Sequence, residues 1–519
     1  MKRDFAALND EFDLLVCGGG IYGAWTAYDA VLRGLKVALV EKGDWASATS
    51  SASSKLIHGG LRYLETYDFK LVRKALRERR RLLRIAPHRV WPLRFGVPVY
   101  KNSRNGTLKL KAGLMLYDAL AGGPDEQMRH AHFSSAAFFE HFPFLNQHGL
   151  KGGFTYGDAQ TDDARLVLEL VAGTLALGAV CVNYAELTEW CEEGGHVCGA
   201  KIRDGETGAV LQMHARQYVS TSGQWASQVS TTSGLCRMSK GVHLVLPALH
   251  MSEALLLTAP QDGRVFFCIP WYGRTLLGTT DTHFIGDINH VEVEDEEVDY
   301  LLKAANHYLK AAWQKQDVIH AYAGLRVLQQ SADVHPSAVT RDWVLHTATN
   351  RVHHSIGGKI TSAREDACEI VNTVCAHLGV TNACETKIQN FPWTPQESYA
   401  TWCATISSRA RELGVDAESI QWLMRRHGAN TVHVLQLVEL DAQGAARVLS
   451  DVPFIQADLQ YCAQQEMVVH LADLLRRRLP LMILSRVDAI NLQKIAQAVA
   501  PVLGWDSARV RTELAAPMK

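Results

Sequence analysis

Side chains able to do chemistry recur in this chain inside short, apolar, glycine-punctuated segments. His58, Arg62 and Tyr63 lie in LIHGGLRYL (56–64) and His243 in KGVHLVLP (240–247). Arg326 lies in AYAGLRVL (321–328), Arg341 in TRDW (340–343) and Lys359 in GGKITS (357–362). An imidazole titrates near neutrality and can accept a hydroxyl proton. Guanidinium forks suit a dianionic phosphate, and an ammonium can offset negative charge that grows on a bound group. Each histidine also has a plainer reading as a satisfied core or packing residue. The pair His353 and His354 is read as strand residues. No spacing of His, Cys, Asp and Glu suggests a metal site.

The elements that must position these groups begin at residue 12. FDLLVCGGGIYGAWTAYDAVLRGLKVALVE (12–41) reads as strand, glycine turn, helix, strand and acidic stop, the layout of a dinucleotide-binding unit. Phe12 to Cys17 is a short apolar run suited to a buried parallel strand. The turn Gly18-Gly19-Gly20, with Gly23, supplies GxGxxG, and the helix starting near Ile21 points free N–H groups at a pyrophosphate. Val37 to Val40 is the second strand, and Glu41 follows it where an acid can bind ribose hydroxyls. The segment ASATSSASSKLIHGGLRYL (46–64) then offers small polar donors in a stretch too apolar at its end for a linker.

That segment carries a resemblance. TSSASSKLIHGGLRYLE, placed just after GGGIxGA and its acidic strand end, resembles the FAD-dependent glycerol-3-phosphate dehydrogenase family. YGDAQTDDARLV (156–167), KGVHLVLP, IPW (269–271), GTTD (278–281), TRDW and GGKITSAR (357–364) follow in that family's order. The resemblance implies an α/β plus α+β architecture. It consists of a Rossmann-like FAD-binding domain of the glutathione-reductase/D-amino-acid-oxidase-like flavoprotein class, an antiparallel-sheet substrate domain and a C-terminal helical domain. It implies FAD as cofactor, oxidation of sn-glycerol 3-phosphate to dihydroxyacetone phosphate, and a membrane quinone as electron acceptor, hence peripheral membrane attachment. A homodimer is compatible with it. The implied cofactor contacts are Gly18, Gly19, Gly20, Gly23, Glu41, Thr49, Ser50, Ser53, Ser54, Lys55, Leu56, His58, Gly59 and Gly60. They continue with Ser222, Gly223 and Trp225, then Gly357, Gly358, Lys359 and Thr361 around a second helix N-terminus facing the flavin. Arg62, Tyr63, Arg326 and Arg341 are assigned to the substrate. Catalysis is assigned to His58, His243, Arg326 and Lys359, with His58 ranked ahead of His243 as the base.

Four positions depart from the family pattern, and three of them, Tyr22, Val327 and Ala363, bear on the substrate. Tyr22 stands in GGGIYGA where the family resembles GGGINGA, and its phenol either narrows the pyrophosphate space or points to solvent. SGQW (222–225) replaces TGPW, losing a rigid proline. Val327 replaces the proline of GVRPL, and Ala363 the tyrosine of GGKLTTYR. A related polar alcohol or amine as substrate, or a flavin module without turnover, are the competing readings.

Composition fits a large enzyme of two or three domains. The 519 residues are 47% hydrophobic and 21% charged with net charge −1, which indicates neither disorder nor a nucleic-acid partner. Eleven cysteines without a CxxC pair suit a reducing compartment. No signal peptide or spanning segment is apparent, so a cytoplasmic protein, or one resting on the membrane, is expected. The cofactor domain is placed at 1–95, 161–235 and 346–388. A substrate- or membrane-facing insertion is placed at 96–160, the antiparallel sheet at 236–345, and helices at 389–519. Segments 69–86 and 101–120 are basic and apolar: each is either a lipid-facing surface or a solvated helix followed by a core segment. A helix is expected over 292–312. Arg476-Arg477-Arg478 is read as a solvated helix end whose charges complement the dipole, with contact to a membrane or a partner as the alternative.

Overall fold

The computed structural model describes residues 1–122, 126–229, 231–329 and 342–516. Glu11–Cys17 forms the centre of the first sheet because its side chains are apolar on both faces. Parallel neighbours are Val37–Val40 on one side and Val210–Ser220 on the other. Beyond them lie Val180–Val182 and His353–Ile356, and Val344–Thr347 closes the edge antiparallel. The helices Ile21–Leu32, Asp163–Ala176 and Ala363–Leu378 cover one face, with Leu14, Val16, Trp25, Leu166, Val167 and Ile370 packed together. Val210–Ser220 does two jobs. Its first half pairs antiparallel with His196–Asp204, which pairs with Ala185–Glu193, and its second half joins the parallel sheet.

The second sheet is antiparallel apart from one pair. Its order is Thr282–His283, Cys236–Pro247, Arg274–Gly278, Val265–Trp271, Ala254–Thr258, Val90–Tyr100, Leu150–Thr161 and Leu56–Ile57. His320–Gln329 flanks the other side of Cys236–Pro247, and Ala131–Ser134 pairs with Leu150–Thr161. Val90–Tyr100 therefore spans the expected boundary at residue 95 and belongs with the substrate sheet. Val344–Thr347, which the expected range 236–345 would put in the substrate sheet, belongs instead to the cofactor sheet. Segment 236–329 alone leaves the sheet open beside Ala254–Thr258, and Val90–Tyr100 fills that edge by parallel pairing at Ala254 and Leu255.

The expected helix over 292–312 is shorter, Asp295–Asn306. Its start is held by the Glu297 carboxylate, which accepts from the Glu294 N–H. Residues 398–516 form the helical domain. Among the described residues no helix is long and apolar enough to cross a membrane.

The arginine run is not a solvated end. Arg477 and Arg478 are buried and grip Asp44 in the cofactor domain: Arg477 Nε donates to Asp44 Oδ2, and Arg478 bonds both carboxylate oxygens. Arg477 also donates to Asp473 at 2.8 Å. Two cations this deep need anions beside them, because desolvating an unpaired charge is costly. A second buried network joins the same two domains. Glu169 receives Arg89 at 2.8 Å, Arg165 bonds Glu466, and Arg426 and His427 bond Asp458.

Candidate active site

A cavity of about 760 Å³ runs between the two sheets. One end is lined by Glu41, Lys42, Glu186, Leu187 and Trp190, the middle by Gly18, Gly20, Ser50 and Thr221, and the far end by His58, Arg62, Tyr63, His243, Arg326 and Gly357 to Thr361.

The glycine turn is built for close approach. A Cβ at Gly23 would lie 1.8 Å from the Gly18 carbonyl oxygen, so helix and strand meet at a distance that only glycine allows. Gly19 and Gly23 act through such packing and lie outside the cavity wall, Gly19 under the Trp45 ring. Glu41 accepts from Gly19 N–H at 2.6 Å and Gly43 N–H at 2.8 Å. Two lone-pair sites of its carboxylate remain for hydroxyls. Burial raises its pKa, though both amide bonds oppose that. Ser50 Oγ receives the Ile21 N–H at 2.9 Å, at the start of a helix whose free N–H groups suit an anion.

The segment 49–60 is braced by YGDAQTDDARLV. Asp163 accepts from the Ser53 hydroxyl at 2.7 Å and from Lys55 Nζ at 2.6 Å, while Asp158 accepts the Gly59 N–H at 3.1 Å. Thr49, Ser53, Ser54, Leu56, His58 and Gly60 line the cavity, but Lys55 and Gly59 do not. Lys55 is buried over Trp271, 4.6 Å from the ring centroid, paired with Asp163. A Cβ at Gly59 would meet Leu76 and Tyr117 at 2.4 Å. Both residues hold the loop rather than face a ligand.

At the far end, Arg326 extends over Gly241. It donates to Thr279 Oγ1 at 2.9 Å and to the Thr280 carbonyl at 3.2 Å, and pairs with Asp281 at 3.3 Å. Arg264 also reaches Asp281, donating to its carbonyl oxygen. Arg264 lines the cavity and sits in the strand segment RVFFCIPW, which sequence reading treated only as sheet. His243 bonds Ser54 Oγ through Nε2 at 2.8 Å and stacks on Tyr322. Burial, then Arg326 and Lys55, hold its pKa well below the ordinary value, so it is neutral. His58 is half-buried, with its backbone N–H on Thr361 Oγ1 at 3.2 Å and its ring edge-on to Phe267. Lys359 Nζ lies 3.8 Å from the Tyr63 ring centroid, and the Arg62 guanidinium carbon lies 5.5 Å from it. Arg341 lies outside the described residues. His353 and His354 are buried strand residues, each held down to about 4 by burial first and a neighbouring histidine second.

Three of the four departures have a local setting, and nothing in the structure explains Ala363. Tyr22 lines the cavity, and its phenol is tied down rather than turned to solvent. It donates to Asp366 at 2.7 Å and accepts the Lys359 N–H at 3.0 Å, tying the first helix to the GGK loop. Gln224 replaces proline with a tether: it is buried and donates to the Ile288 carbonyl at 2.6 Å. Val327 lines the cavity within a strand, opposite Met238. Trp225 lines it too, with Lys42 Nζ 3.6 Å from its ring centroid, and Ser222 and Gly223 complete the turn.

A cavity that runs past a GxGxxG turn and a second glycine-rich helix N-terminus and ends among cations is the site of an FAD-dependent oxidoreductase. The family described as FAD dependent oxidoreductase matches residues 13–364, and the C-terminal domain of alpha-glycerophosphate oxidase matches residues 396–510. A glycerol-3-phosphate dehydrogenase from Synechocystis sp. is 34% identical over 97% of this chain and 95% of its own. A D-erythritol 1-phosphate dehydrogenase from Brucella abortus is 35% identical over 85% of this chain and 93% of its own. The solved glycerol-3-phosphate dehydrogenase from Bacillus halodurans, complexed with FAD, superposes with TM-score 0.80 at 27% identity, covering 98% of this chain and 94% of that one. The chain belongs to the FAD-dependent glycerol-3-phosphate dehydrogenase family. FAD is its cofactor, and the glycine cradle, Glu41 and the two helix N-termini fit that group.

Proposed function

We propose that the enzyme oxidises the secondary alcohol of sn-glycerol 3-phosphate to dihydroxyacetone phosphate and passes the electrons to a quinone-type acceptor. The observation that carries this reading is the cation set Arg62, Arg264 and Arg326 sharing one cavity with His58 and the GGK loop. A dianionic phosphate is the ligand such forks suit. When bound, FAD takes up the hydride that leaves the alcohol carbon. His58 accepts the hydroxyl proton. The neutral His243, hydrogen-bonded to the Ser54 hydroxyl, keeps that wall of the cavity uncharged beside Arg326. Arg326 orients the phosphate or the C2 oxygen, Tyr63 donates to the phosphate, and Lys359 offsets charge at the flavin end.

The test is an anaerobic titration of the purified holoenzyme. Glycerol 3-phosphate should bleach the flavin band near ~450 nm at lower concentration than D-erythritol 1-phosphate or any amine does. Preference for the erythritol phosphate would move the reading to a longer polyol phosphate, and no bleaching by any alcohol phosphate would overturn it.

Membrane contact is supported by the helix Thr107–Ala121. Leu108 is 85% exposed, Met115 55% and Leu116 39%, at helical spacing on one face, with Lys109 and Lys111 adjacent. The basic helix Phe69–Ile85 is instead folded in, with Arg79 on Asp158 and Glu78 on Arg364. Leu108→Glu combined with Met115→Glu should abolish sedimentation with anionic vesicles and leave dye-linked activity in solution unchanged. Undiminished sedimentation would refute this face.

A further inference from the structure

Behind the cofactor site, a polar node joins the end of the first helix, the last helix of the cofactor domain and the segment leading to the helical domain. Arg33 donates to Asp29 at 2.6 Å, to Asn372 at 2.7 Å and to the Cys368 carbonyl at 3.3 Å, with the Cys368 sulfur at 3.5 Å. Asn382 closes the node by donating to the Arg33 carbonyl at 2.9 Å. The sulfurs of Cys368 and Cys384 and a carboxylate oxygen of Asp29 all lie within 4.8 Å of one another. Both thiols are partly exposed, unlike Cys17, Cys181, Cys268, Cys375 and Cys462, which are buried.

We propose that Cys368 and Cys384 are a peroxide-sensitive dithiol that closes to a reversible disulfide, a modification site separate from the flavin cavity. The two sulfurs are already neighbours and differ in character. A hydrogen bond from Cys368 outweighs burial and, with the Thr386 hydroxyl at 3.1 Å, holds Cys384 down at about 4. The bond that stabilises the Cys384 thiolate raises Cys368. Cys384 is thus the nucleophile and Cys368 the resolving thiol.

The oxidant is hydrogen peroxide, a two-electron acceptor. The Cys384 thiolate attacks one peroxide oxygen and the O–O bond breaks. Hydroxide leaves and is protonated to water, and Cys384 becomes a sulfenic acid. The Cys368 sulfur then attacks the Cys384 sulfur, and the S–OH oxygen leaves as a second water. The Cys368 proton passes to Asp29, whose carboxyl burial and the Cys384 sulfur push up to about 7, and from Asp29 to that leaving oxygen, which completes the water. In sum, two thiols and one peroxide give one disulfide and two waters. The bond would tie the helix that follows the GGK loop to the segment entering the helical domain.

The experiment treats the full-length, FAD-bound protein with hydrogen peroxide, then denatures, alkylates, and maps it by mass spectrometry. The expected result is loss of two alkylatable thiols, a cross-linked peptide pair joining 368 to 384, and reversal by dithiothreitol. Cys368→Ser should stop at a dimedone-reactive sulfenic acid on Cys384, whereas Cys384→Ser should leave Cys368 alkylatable. The wild-type map decides the matter even if a variant fails to fold. The proposal is overturned if Cys368 and Cys384 stay alkylatable in oxidised wild-type protein, if the only bridge maps to Cys191 and Cys198, or if the purified thiols are masked by zinc that a chelator removes.

Discussion

Tyr22→Phe removes one oxygen and two hydrogen bonds from the cofactor site without changing the ring. The phenol spans from the first turn of the helix Ile21–Leu32 to the GGK loop, donating to Asp366 at 2.7 Å and accepting the Lys359 N–H at 3.0 Å. Gly358 lies against it at φ +96°, where an added Cβ would come within 1.7 Å of the hydroxyl. Asp366 keeps Lys74 at 2.6 Å and the Ser362 hydroxyl at 2.9 Å, so its charge stays compensated in the variant. What is lost is one bond to an ionised acceptor, about 1.5–3 kcal/mol, and one neutral bond of about 1 kcal/mol. Water at the half-buried lip recovers part of this, so a net ~1–3 kcal/mol is expected. That loss appears as disorder of Gly357 to Thr361, the segment that must meet the flavin, and so as weaker cofactor binding by roughly 5- to 150-fold. Titrating apoprotein with FAD by flavin fluorescence measures it. Tyr22→Asn, too short to reach Asp366, should be at least as weak. A Tyr22→Phe dissociation constant within twofold of wild type, with unaltered thermal unfolding, would show that this bridge does not organise the cofactor loop.

Arg326→Met should lower kcat/KM for glycerol 3-phosphate by about 10²-fold or more, since losing a desolvated charge partner costs ~2–5 kcal/mol. FAD affinity should not change, and an equal loss of both would place Arg326 in the fold instead. Asp44→Asn leaves Arg477 and Arg478 without an anion on that side. About 3–5 kcal/mol should go, seen as a lower melting temperature and faster proteolysis between the domains, and an unchanged melt would refute the clamp. Acid should weaken the second junction. Burial opposes the charges of Glu169 and Asp458, yet His88 with Arg89 outweighs it for the first, and Arg426 with His427 for the second, holding each at about 2. His88 is itself pushed down by burial, so Arg89 is the permanent charge there. Because these folded values lie below the unfolded ones, their stabilisation is complete above about pH 4.5 and disappears as pH falls toward 2. The melting temperature should drop across that window, and a flat profile would sink the assignment.

The cofactor site was legible in the sequence where local backbone needs dictate residue type. Gly18, Gly20, Gly23 and Glu41 obey constraints set within thirty residues of one another, so their spacing carries the geometry. The hairpin Ala185–Glu193 escaped reading although Glu186, Leu187 and Trp190 line the cavity. Its register shifts between Leu187 and Glu189 and again between Cys191 and Glu192, which breaks the two-residue alternation that marks a strand. Arg264 escaped because its neighbour Asp281 becomes visible only when separate strands are brought together. The motif alone implies Lys55 and Gly59 as cofactor contacts, whereas their partners Asp163 and Leu76 lie on elements that the motif does not contain.

The arginine run shows why charge is the harder signal. Three consecutive arginines on a helix end satisfy the dipole rule equally well in water or in a core, since the rule is blind to what packs opposite. Here Asp44 lies opposite, three residues past Glu41 and next to Trp45, the ring under Gly19. The helical domain therefore grips the turn that carries Glu41 and the floor of the glycine loop. Its arginines act on the cofactor site through two intervening residues and touch no part of the cavity themselves, as their absence from its wall shows. On this argument the C-terminal domain is a brace for nucleotide binding, and its detachment would cost FAD before it cost any substrate contact.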